Sequence, residues 1–104
     1  MYLKKGQPIF VVTVHEEGRK DFDFRVSCAF LSMELAIARV NSEAAYYEDR
    51  GYETYSYDFE GRDKFVCRMA SGAERDPDTD QLDINMADRY VDIVASICPI
   101  DDRM

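Results

Sequence analysis

The sequence has no tryptophan, one histidine and only three cysteines in 104 residues. Each scarcity closes a class of function. Cys28, Cys67 and Cys98 are widely spaced with no CxxC pair, so neither a disulfide framework nor a zinc-ribbon spacing is present. Reduced thiols on core faces are expected instead. His15 falls on a strand face opposite to that of Cys28, which leaves no Cys–His nucleophilic pair. Gly-rich phosphate loops, the GxSxG elbow and HExxH are all missing. No apolar run approaches the ~20 residues that span a bilayer, and the longest, PIFVVTV, has the length of a strand. The segment MYLKKGQPIFVV has two lysines but no extended apolar region and no small-residue cleavage site. A cytoplasmic, non-enzymatic protein without cofactor, metal or membrane attachment is therefore expected.

What is abundant is acid. Twenty-one acidic residues face thirteen basic ones, a net charge of −8. The last 29 residues carry eight aspartates against Arg89 and Arg103, three quarters of that excess. Such a field repels nucleic acid and anionic membranes and attracts basic proteins. Direct nucleic-acid binding is not expected.

The apolar pattern gives the elements. Phe10, Val12 and Val14 alternate with Ile9, Val11, Thr13 and His15 in a first strand. Phe22, Phe24, Val26, Cys28 and Phe30 then alternate with Asp23, Arg25, Ser27 and Ala29, which predicts a half-buried strand with all five on the core face. Ser32 suits an N-cap and Gly51 a left-handed stop, with Met33, Ala36, Ile37, Val40, Ala44 and Tyr47 forming one stripe of a helix between them. Tyr55, Tyr57 and Phe59 share a face of a third strand, and Phe65, Cys67 and Met69 a face of a fourth. Residues 71–83 read as an acidic loop. From about Asn85 to Cys98 the apolar residues cover one half of a helical wheel, which predicts a second helix ending at Pro99. The expected fold is α+β, a ββαββα order in one domain spanning residues 1–104. Its four-stranded antiparallel sheet would carry both helices on one face.

Two surfaces stand out as candidate partner sites. Asp76, Asp78, Asp80 and Asp83 lead into the predicted second helix, whose polar face would show Asp88 and Asp92. Carboxylates four apart on a helix sit ~6 Å from each other, close to the phosphate spacing along one strand. Such a row suits a groove built for nucleic acid on a basic protein partner. In size and charge the chain resembles small acidic inhibitors of nucleic-acid enzymes, of the anti-restriction and anti-CRISPR kind, with no shared motif. The aspartates also imitate the start of a calcium loop. However, Gln81 stands where the turn glycine is needed and Ala87 where the bidentate carboxylate is needed. The second surface is a helix strip of Leu35, Arg39 and Tyr46, residue types that favour interface centres. The alternative to an inhibitor is a homo-oligomer, such as a homodimer, whose subunits meet through the outer sheet face at Ile9, Val11, Tyr52 and Val66. A small-ligand binder or enzyme ranks behind both.

Overall fold

Runs rich in Val, Ile and Phe on either side of a short polar turn make β1 (Pro8–Gly18) and β2 (Phe22–Phe30) an antiparallel hairpin. This is seen in the computed structural model, which describes residues 8–18 and 21–99, the last two by their backbone alone. Helix α1 (Met33–Glu48) follows, then the hairpin β3 (Glu53–Phe59) and β4 (Lys64–Ser71). A two-residue ladder of β5 (Glu74–Arg75) with β6 (Leu82–Asp83) and a 3₁₀ turn at Ile84–Met86 lead into β7 (Arg89–Pro99). Five strands form one sheet in the order β2-β1-β7-β4-β3, with every pairing antiparallel.

The expected ββαββα order is thereby corrected. The segment read as a second helix is the central strand of a five-stranded sheet, and one α-helix covers the sheet rather than two. The physical reason lies in its burial. A central strand has neighbours on both sides, and here Val91, Ile93 and Ala95 point to the helix layer while Tyr90, Asp92, Val94 and Ser96 point away. Tyr90 and Val94 add apolar residues to the outward set and blur the period of two, and on a helical wheel the same residues fill half the circle.

Helix α1 begins where Ser32 Oγ accepts the N–H of Leu35 at 3.2 Å, with Glu34 in the positive first turn. It ends at Glu48, and Gly51, at φ +89°, turns the chain into β3. The stripe predicted for it is the one it buries. Ala36, Val40, Ala44 and Tyr47 are buried, and Met33 and Ile37 pack at the margin. They lie on Val12 and Val14 of β1, Cys67 and Met69 of β4, and Val91 and Ile93 of β7. Full burial of each such Val, Ile or Met side chain is worth roughly 1.5–3 kcal/mol. The helix carries the chain from one sheet edge, β2, to the other, β3, and among the described residues no helix covers the opposite sheet face.

Candidate interaction surface

Two bulges decide what that opposite face presents. Val12 pairs with Cys28 but Thr13 pairs with Val26, so Ser27 is an extra residue in β2. One extra residue reverses every side chain beyond it. Cys28 and Phe30 therefore stay on the helix side, while Phe22, Phe24 and Val26 turn to the outer face. They are 67%, 56% and 61% exposed there. The sequence reading that placed all five on one core face is corrected by this single insertion. Phe22 meets His15 edge-on at 4.6 Å, which fixes both on the outer side. The predicted separation of His15 from Cys28 is present.

What holds the bulge is a polar cluster that the sequence did not announce. Ser27 Oγ donates to Glu43 Oε1 at 2.6 Å, and Arg25 Nη2 donates to Glu43 Oε2 at 2.7 Å. Arg39 Nε donates to Ser27 Oγ at 2.9 Å, with its guanidinium 3.5 Å from Glu43. Glu43 is 8% exposed, the one buried charged residue among those described. Its hydrogen bond from Arg25 holds the carboxyl below the usual carboxylate range, against the upward push of burial. Next to it, Tyr47 donates its hydroxyl to Glu16. Burial first, and then that bond, push the Tyr47 phenol up to about 12. The cluster ties α1 to the edge strand β2 in the register that turns the phenylalanines outward. All its groups are partnered, so it reads as a fastening rather than a reactive centre.

A second bulge falls at Tyr55, since Thr54 pairs with Met69 but Ser56 with Arg68. Tyr57 and Phe59 keep the helix side, both edge-on to Phe65. Tyr55 separates from them, and its phenol is raised by burial and then by the charge of Asp92. Tyr52 packs on Tyr47 at 5.2 Å beside the core, so it leaves the outer set predicted from sequence. Ile9, Val11 and Val66 remain in that set.

The outer face thus has two halves. Over β4 and β7, Arg68 bridges Glu60 and Asp92, Lys64 pairs with Glu60, and Val66 and Ala70 are buried beneath. Over β2 and β1, Phe22, Phe24 and Val26 stand exposed beside half-buried Val11, Thr13 and His15.

The other predicted site residues do not assemble as expected. Asp76, Asp78 and Asp80 lie in the β5–β6 loop, Asp83 ends β6, Asp88 precedes β7 and Asp92 lies within it. No helix carries them, so the evenly spaced carboxylate row is corrected away. Asp76 Oδ1 instead accepts the N–H of Asp78 at 2.8 Å, and its carbonyl accepts that of Asp80 at 2.8 Å, a self-closed turn. Arg75 reaches Glu53 of β3 and, at 2.9 Å, the Asp80 carbonyl, so one loop acid and one strand acid meet its guanidinium. An open hollow of about 470 Å³ lies among them. Among the described residues no three His, Cys, Asp or Glu side chains converge as metal ligands. On α1, Leu35 is exposed, Arg39 is turned into the Glu43 cluster, and Tyr46 lies under Arg50 with the guanidinium 3.4 Å from its ring centre. These three do not form a continuous apolar strip.

Cys67 is buried, and burial pushes its thiol up, which makes it a poor nucleophile. Cys28 is half-buried on the helix side. The Cys98 side chain lies outside the described residues. Compared with protein-family models, curated proteins and solved structures, the chain matches none.

Proposed function

We propose that the protein acts without catalysis, as a binding module whose contact surface is the outer sheet face around β2 and β1. The observation that carries this reading is the exposure of Phe22, Phe24 and Val26 side by side on one strand. A bulge that a buried Glu43 cluster holds in place exposes them. An edge strand normally carries charge or proline as protection against association. This one carries two exposed phenylalanines in a row, and contiguous apolar surface of that kind marks contact sites.

A photo-crosslinking phenylalanine analogue at position 24 tests the reading, with Ala45 on the exposed side of α1 as the control position. The expected result is a discrete protein adduct from position 24 and none from position 45. Excess unlabelled chain should compete it away, whereas excess Phe24→Asp chain should not. Equal crosslinking from both positions, or competition by the Asp variant, would end the proposal.

A further inference from the structure

We infer that the protein docked on this face is a second copy of the chain, the two sheets packing face to face as an isologous dimer. The inference rests on the contact surface proposed above and adds the identity of its occupant.

Three properties of the face favour self-association. The first is charge. The chain carries −8. On the outer face the outward charged side chains include Glu17, Glu53, Asp58, Glu60 and Asp92 against Lys64 and Arg68, but over β2 and β1 the one such residue is Glu17. Where the phenylalanines stand, a basic partner would find little attraction and an identical acidic chain little repulsion. The exposed acids of α1, Glu34, Glu48 and Asp49, lie on the far side of the sheet. Packed sheets stand ~10 Å apart with each helix layer about as far again beyond its own sheet. The helix acids of two copies are then separated by several Debye lengths, which are ~8 Å at physiological salt.

The second property is size. Five strands at ~4.8 Å spacing and roughly 25–35 Å of strand length give a face of the order of 700 Å². A standard interface buries about 800 Å² on each partner, so one sheet face is close to what a stable dimer needs. The third is anatomy. Phe22, Phe24, Val26, Val11 and Val94 form an apolar zone, and the Arg68–Glu60–Asp92 ion pairs flank it on the β4 side. The zone reaches the outer edge of the sheet at β2, and an apolar zone bordered by ion pairs has the composition of an interface. An isologous contact needs a patch complementary to itself, and the apolar half of the face over β2 and β1 meets that condition.

Light scattering on the eluting full chain, and sedimentation equilibrium, read the outcome. The wild-type chain should run at twice its own mass, with dissociation unchanged or weakened as sodium chloride rises. Phe24→Asp and Val26→Lys should each weaken the dimer by at least about tenfold. Circular dichroism should stay native, since both side chains are more than half exposed. Leu35→Asp on α1 should leave the mass unchanged. A monomer at about 100 μM in low and high salt overturns the second-copy inference, as does a dimer that both β2 variants leave intact. A monomer that still gives a position-24 adduct to a different protein overturns only the identity of the occupant. A monomer with no such adduct overturns the contact surface as well.

Discussion

Glu43 shows what one side chain can settle. Its place on α1 is unremarkable in sequence, one residue before the stripe residue Ala44, and nothing there signals burial. In the fold it is buried between Arg25, Ser27 and Arg39. The folded state lowers its pKa, so its stabilising contribution is present above the unfolded value of ~4.3. That contribution is lost as pH falls through the lowered folded value. Glu43→Gln should therefore cost about 2 kcal/mol near neutrality, where a charged hydrogen-bonded acceptor is replaced by a neutral one. The wild-type advantage should shrink in acid. Urea midpoints from pH 7 down to pH 3 measure both curves, and two parallel curves would remove the cluster from any role in stability. The core stripe of α1 was readable residue by residue because a single amphipathic helix obeys one period throughout. Glu43 was not, because its partners lie on another element. Ser27 likewise reads as an ordinary polar position, although it is the residue that reverses β2.

At the scale of elements, the features that the sequence made clear were those with one buried face. α1, the β1–β2 hairpin and the β3–β4 hairpin all follow from their own alternation. β7 did not, since Tyr90 and Val94 on its outward side blur its period of two. The available signal was composition: Val91, Ile93, Val94 and Ile97 are β-branched, and four such residues within seven positions favour a strand. The error then spread, because assigning that segment to a second helix also removed the sheet's centre and its fifth strand. Being central has a measurable consequence. β7 is paired over Arg89–Pro99 with β1 on one side and over residues 89–96 with β4 on the other, whereas among the described residues β2 and β3 are each paired on one side. Amides of Val91–Ala95 should exchange with solvent only through global opening, at the slowest rates in the chain. Those of β2 beyond the Ser27 bulge should exchange faster by orders of magnitude. Hydrogen exchange followed by NMR checks this, and comparable protection in β2 and β7 would contradict the edge-and-centre arrangement.

For the whole molecule, the competing demands are a charge of −8, which favours separation, and one sheet face that favours contact. Where the acids lie decides between them. In the β5–β6 loop Asp80 lies against Arg75, α1 carries other acids on the far side, and the acids of the outer face gather toward β3, β4 and β7, so the half over the phenylalanines is nearly uncharged. Sequence alone gave the total charge but not its partition between two sides of a sheet, because that partition depends on the Ser27 and Tyr55 bulges and on the strand identity of β7. A dimer built on that face makes folding bimolecular, and its melting temperature then depends on protein concentration. Wild-type protein should melt several degrees higher after a hundredfold increase in concentration. Phe24→Asp should melt at one temperature throughout, close to the wild-type value at high dilution. Added salt should raise both curves by screening the self-repulsion of each acidic chain, and it should not narrow the gap between them, because the contact is apolar. If salt instead erased the concentration dependence of the wild type, the association would be electrostatic, and the acidic segments rather than the phenylalanine face would hold the copies together.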